Sequence, residues 1–132
     1  MATIEKRAKL QVAADTVWQR LRDVGNAATI FPDVLSSSHA VDGARVVTFT
    51  NGMVVTELIV DIDDNARRLA YAAQGNGFLH HNASMQVIAD SDESCTFVWI
   101  TDFLPNELLD QISALIEAGV ESFVKQWDPK QG

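Results

Sequence analysis

NELLDQISALIEAGVESFVKQ, residues 106–126, is the stretch that decides the fold. Leu108, Ile112, Leu115, Ile116, Gly119 and Phe123 recur at the spacing that keeps one helical face apolar. Pro105 and Asn106 open the segment. Glu107 and Asp110 suit the positive end of its dipole, and Lys125 suits the other end. Each aliphatic side chain buried on this face contributes roughly 1.5–3 kcal/mol. No other segment reads as a helix of similar length, so the apolar face has only a sheet to pack against. Gly119 breaks the stripe, and a mid-helix glycine costs about 1 kcal/mol relative to alanine. Two reasons would retain it: close approach of a strand, or room for a ligand.

Working back from this helix, the chain reads as strands. Thr3–Val12 alternates, with Ile4, Ala8, Leu10 and Val12 on one side. Asp15 is placed to cap a short helix, Thr16–Asp23, with Val17, Trp18 and Leu21 as its stripe and Gly25 as its stop. Asn26 is placed to cap a second short helix, Ala27–Phe31, ended by Pro32. Strands follow at Val34–Val41, Ala44–Thr50, Met53–Ile62, Arg67–Ala73, His80–Ala89 and Cys95–Phe103. Asn51-Gly52 is a strong hairpin signal, because both residues tolerate the positive φ of a type I′ turn. A two-residue turn there pairs Val46 with Glu57 and Arg45 with Leu58. Arg45 and Glu57 then point to opposite faces unless a bulge intervenes. The expected fold class is α+β: a six- to seven-stranded antiparallel sheet around a long C-terminal helix, with two short helices after the first strand. The whole chain, 1–132, reads as one domain.

Composition limits the function. The 132 residues are 47% hydrophobic and 21% charged, with a net charge of −8. That charge repels nucleic-acid phosphates and anionic membranes. No apolar run approaches membrane-spanning length, and the first residues lack a signal-peptide core, so a cytoplasmic protein is expected. Cys95 is the only cysteine, which excludes an internal disulfide and suggests an inert strand residue. Asp61, Asp63 and Asn65 resemble the start of a calcium loop, but Ala66 and Ala72 stand where glycine and glutamate are required. His39, His80 and His81 lack metal-ligand spacing. Gly75 and Gly77 do not open a helix, so they form no phosphate cradle. Neither a metal nor a cofactor is expected.

The run Val46-Val47-Thr48-Phe49-Thr50-Asn51-Gly52-Met53-Val54-Val55-Thr56-Glu57-Leu58, then Asp63-Asp64, then Arg67-Arg68-Leu69-Ala70-Tyr71, resembles the START-like (SRPBCC) superfamily. Asp15-Thr16-Val17-Trp18, Phe31-Pro32 and Ala118-Gly119 are further echoes in the same order. That superfamily includes polyketide cyclases and dehydrases, lipid-transfer domains, birch-pollen-allergen-like proteins and plant abscisic-acid receptors, and many bacterial members carry this pattern. The resemblance implies a helix-grip fold with a cavity between sheet and helix. It points first to Glu57, which matches a glutamate that faces the cavity in hormone-binding members, and second to Arg45, which matches a family arginine. A solvent-facing strand glutamate is the alternative for Glu57. Tyr71 shares a face with Leu69 that the family pattern turns inward, as a ligand contact or as core. Strand alternation puts His81, Ala83, Met85 and Val87 on one side, which favours His81 as the inward histidine of the pair; two exposed histidines at the loop end are the alternative. Phe31 is expected in a lid, Trp99 on the inner side with Phe97, Thr101 and Phe103, and Leu115 and Gly119 on the helix face. Trp127 is expected near the sheet rim.

Three functions follow. The first is binding of a hydrophobic small molecule (lipid, polyketide or aromatic) by Glu57, Tyr71, His81, Met85, Phe31, Trp99, Leu115, Gly119 and Arg45 around a cavity. The alternative is a polyketide cyclase or dehydratase-like enzyme with Glu57 as acid or base. The third is a ligand-dependent interaction module, and a homodimer through an edge strand is open.

Overall fold

The computed structural model describes residues 2–127. Seven antiparallel strands form one sheet: β1 (Ala2–Leu10), β2 (Leu35–Val41), β3 (Ala44–Phe49), β4 (Val54–Asp63), β5 (Arg68–Gln74), β6 (His80–Ser91) and β7 (Ser94–Leu104). Their spatial order is β1-β7-β6-β5-β4-β3-β2. Consecutive strands from β2 to β7 are therefore neighbours, and only β1 joins from afar, pairing with β7 along its whole length. The insertion that separates β1 from β2 holds the two short helices, α1 (Ala14–Leu21) and α2 (Ala27–Ile30). The long helix α3 (Leu109–Lys125) closes the chain. Irregular registers at Leu35/Ser37, Ile59/Asp61 and Ala89/Ser91 mark bulges, which bend a strand and increase its twist.

The predicted elements are present, with local corrections at their ends. Asp15 does not cap α1. The N-cap is Ala13, which makes no side-chain bond, and Asp15 sits inside the first turn, where its carboxylate accepts from Arg67 Nε at 2.8 Å. Gly25 is not the stop either, since α1 ends earlier at Leu21. Gly25 lies in a 3-10 turn, where a Cβ would meet Ala40 of β2 at 3.0 Å, so strand proximity accounts for the glycine. The Asn26 side chain caps nothing and instead donates to Asp23 at 2.6 Å.

The core fills one end of the space between sheet and helix. Phe123 of α3 stacks on Phe97 with ring centroids 4.3 Å apart and on Phe31 at 5.2 Å. Trp18, Leu21 and Ile30 of the short helices, and Leu10, Val87 and Cys95 of the strands, are fully or almost fully buried. This packing occupies the C-terminal half of α3. Trp127 continues it, edge-on to Phe123 and under the Arg20 guanidinium. The N-terminal half of α3 is left without such filling.

Candidate functional site

The site begins with the β3–β4 turn. Phe49 N–H donates to the Met53 carbonyl and Gly52 N–H to the Phe49 carbonyl, which makes a three-residue loop, Thr50-Asn51-Gly52. Gly52 takes φ +92°, the conformation such a loop needs at its last position. The two-residue turn expected from Asn51-Gly52 is therefore wrong by one residue. Because side chains alternate along a strand, that single residue reverses the relative facing of the two strands. Arg45 now lies directly opposite Glu57, and both point inward. The placement of Arg45 and Glu57 on opposite faces is corrected by this register. Arg45 Nε donates to Glu57 Oε1 at 2.7 Å, and both side chains are almost wholly shielded from solvent. Burial of the pair without compensation would be costly, and each charge here meets the other. A guanidinium N–H also reaches the Val24 carbonyl at 3.4 Å, and the guanidinium lies 4.9 Å from the Tyr71 ring centroid, a cation–π contact.

Strand alternation delivers the neighbours. Tyr71 of β5 pairs with Ala83 of β6, which pairs with Thr101 of β7, so these three form one inward row across the sheet. The next row holds Leu69, Met85 and Trp99. Trp99 Nε1 donates to the Tyr71 hydroxyl oxygen at 3.1 Å. Burial, and then the charge of Glu57, push the Tyr71 hydroxyl well above its ordinary pKa, so it keeps its proton. His81 Nδ1 accepts the Ala73 backbone N–H at 2.8 Å, which leaves the proton of the neutral ring on Nε2. Burial, and then the charge of His80, lower the His81 pKa to about 4, so the ring is neutral at pH 7. It leans on Phe78 and Tyr71 with centroids 4.8 and 5.9 Å away. Thr101 Oγ1 is buried and has no hydrogen-bond partner among the described residues.

These groups line a cavity of about 100 Å³ under the N-terminal half of α3. The helix side is apolar, from Leu108, Ile112, Leu115 and Ile116, with Gln111 at the edge. Half-buried Phe49, Met53, Phe78 and Leu108 surround its mouth, between the β3–β4 turn, the β5–β6 loop and the start of α3. An apolar cavity of about 150 Å³ takes up benzene, and this one, at about 100 Å³, is smaller, so even a single ring requires the mouth to widen. Larger ligands require the mouth side chains to swing aside.

Of the residues singled out in the sequence, Glu57, Tyr71, His81, Met85, Phe31, Trp99, Leu115 and Arg45 line this cavity together. Gly119 does not. A Cβ there would lie 2.8 Å from Trp99 Cζ3, so the glycine makes room for the indole, which itself lines the cavity. Thr101, Phe78, Met53 and Gln111 were not singled out as site residues. Thr101 shares strand parity with Trp99, which was a usable signal. The others sit on a loop, at a turn and at a helix end, where periodicity carries no information about neighbours. Arg45 donates to one Glu57 oxygen and so fixes the orientation of that carboxyl group. The arrangement can orient a small molecule through hydrogen bonds from one wall while apolar groups enclose it from the other.

The family described as polyketide cyclase / dehydrase and lipid transport matches residues 1–126. No curated protein matches the chain. Among solved structures, the chain is similar to the protein XoxI from Bacillus cereus at 15% identity, with 100% of this chain and 99% of the other covered and a TM-score of 0.89. It is similar to a START superfamily protein from Mycobacterium smegmatis at 9% identity, with 95% and 96% covered and a TM-score of 0.78. It is also similar to norcoclaurine synthase from Thalictrum flavum in complex with dopamine and hydroxybenzaldehyde, at 16% identity, with 95% and 85% covered and a TM-score of 0.72. At these identities the likeness concerns the fold.

Proposed function

The chain belongs to the polyketide cyclase / dehydrase and lipid transport family, and from that membership and the cavity we propose that it binds a small, mostly apolar molecule between its sheet and α3. One observation carries this reading. The core packs tightly around the C-terminal half of α3, whereas the N-terminal half faces a cavity whose apolar wall stands opposite a few fixed polar groups. Apolar enclosure with a small number of placed polar groups is the usual make-up of a small-molecule site. Among the described residues no helix is long and apolar enough to cross a membrane, and a ligand would enter from the side where Phe78, Met53 and Leu108 are half exposed.

Titration with benzene, followed through the Trp99 indole N–H resonance, tests the proposal. Saturable shifts centred on Trp99, Tyr71 and Leu115 are expected. Leu115→Trp, which fills the cavity from the helix side, should weaken binding by about tenfold or more. Unchanged affinity in that variant, or no saturable response in the parent protein, would overturn the reading.

A further inference from the structure

One cross-strand row on the sheet side of the cavity carries most of its polar groups. Arg45 of β3 lies opposite Glu57 of β4, and Glu57 lies opposite Ala73 of β5. The β5–β6 pairing stops at Tyr71 and Ala83, and the Ala73 N–H donates to the His81 ring of β6 instead. Arg45, Glu57, Ala73 and His81 all line the cavity, whereas the surface groove over Val24 and Ser38 is lined by none of them. Each polar side chain of the row has one atom left over. Arg45 uses Nε for Glu57 and Nη1 for the Val24 carbonyl, which leaves Nη2. Glu57 accepts through Oε1, which leaves Oε2. His81 accepts through Nδ1, which leaves the proton-bearing Nε2.

Buried polar atoms without a partner are rare, and each one calls for a cause. Among the described residues, the wholly enclosed side-chain atoms of that kind are Thr101 Oγ1 and Trp127 Nε1. Arg45 Nη2, Glu57 Oε2 and His81 Nε2 are not of that kind, so each keeps some open surface, and the space these three side chains share is the cavity. The open set is therefore one carboxyl oxygen with a donor on either side along the row. Arg45 and Glu57 cancel at 2.7 Å, and burial lowers the His81 pKa to about 4, so that ring is neutral at pH 7. A buried anion would find no unmatched cation here, which is costly. Solvent can meet Glu57 Oε2 while the cavity is open, but a ligand that displaces that solvent must supply a donor itself.

We infer that the cavity selects an uncharged molecule whose hydroxyl donates to Glu57 Oε2 and accepts from a flanking donor of the same row. This rests on the cavity being a ligand site, as proposed above. It makes Glu57 a specificity determinant that acts as a hydrogen-bond acceptor. Neutral alcohols and phenols are the favoured occupants. Aldehydes and ketones, which only accept, leave Oε2 without a partner, and carboxylates and phosphates add a charge that nothing in the cavity compensates.

Phenol, toluene and benzaldehyde, titrated into the full chain at pH 7 and followed by NMR, separate the possibilities. In the parent protein phenol should move the Glu57 carboxyl carbon resonance, and toluene should leave it near its free position. Glu57→Gln keeps a carbonyl oxygen for Arg45 and turns an NH2 group, a donor, to the cavity. The ratio of phenol to benzaldehyde affinity should then fall about fivefold or more. Arg45→Met together with Glu57→Leu removes both charged groups of the row. There the ratio of phenol to toluene affinity should fall about tenfold or more, the contribution of one hydrogen bond to a charged group. A Glu57 carboxyl carbon that ignores bound phenol, or ratios unchanged in a folded variant, would overturn the proposal while the cavity reading stands. Failure of all three probes to bind the parent would overturn both.

Discussion

Replacing Arg45 and Glu57 singly and together tests the register of the β3–β4 hairpin and the energetics at the base of the cavity. The two side chains are 4% and 11% exposed and meet at 2.7 Å. With an effective dielectric of about 20, a pair at such range attracts by roughly 4–6 kcal/mol, against a desolvation cost of several kcal/mol for each ion. The net worth of the pair is therefore small, yet loss of one partner strands the other. Arg45→Met leaves a buried carboxylate without its partner and removes the contact with Tyr71. Glu57→Leu leaves a buried guanidinium held only by Val24 and the Tyr71 ring. Each change should destabilise by about 3–5 kcal/mol, whereas the double variant should lie within about 1–2 kcal/mol of the parent or exceed it. Urea unfolding of the four proteins, read by tryptophan fluorescence, gives the coupling energy directly. Single losses below about 1 kcal/mol that simply add would refute the reasoning. That result is the one a two-residue Asn51-Gly52 turn produces, since it places the two charges on opposite faces.

Thr101→Val should raise stability by about 1 kcal/mol, because it removes a buried hydroxyl that has no protein partner; a loss on urea melts would mean the hydroxyl is already satisfied. Gly119→Ala gains about 1 kcal/mol of helix propensity but forces Trp99 to move, so a net loss of roughly 1 kcal/mol is expected, smaller in a Trp99→Leu background. An increase in the thermal midpoint of the single variant would contradict the tight contact. His81 titrates near 4 when folded and near its ordinary value of 6.5 when unfolded, so between those values the unfolded chain holds more protons. Its contribution to stability is complete above about pH 6.5 and is lost as pH falls towards 4, about 1–2 kcal/mol after allowance for its partial exposure. Urea melts of the parent and of His81→Gln, compared from pH 7 to pH 4, should show this part of the slope only in the parent.

The order of strands and the terminal helix could be read from the chain because both depend on local period. Alternation in residues 80–89 and 95–103 and the 3, 4, 7 stripe of residues 108–123 each bury one side, whatever they pack against. Parity grouped His81 with Met85 and Trp99 with Thr101, the family resemblance turned the face of Tyr71 inward, and all of these line the cavity. Helix ends were read less well. Asp15, Gly25 and Asn26 are good capping residues in general, but here Arg67, β2 and Asp23 take them.

What the sequence by itself determined is the set of faces: which residues of a strand or helix travel together. How those faces meet was decided only by the tertiary structure. One extra residue in the Thr50-Asn51-Gly52 loop brings Arg45 and Glu57 together on the inside. Contact of Trp99 with Gly119 settles an ambiguous glycine, which makes room for an indole that lines the cavity. The hydroxyl of Thr101 acquires meaning only from what surrounds it, since an absent partner is a property of three-dimensional neighbours and leaves no trace in periodicity.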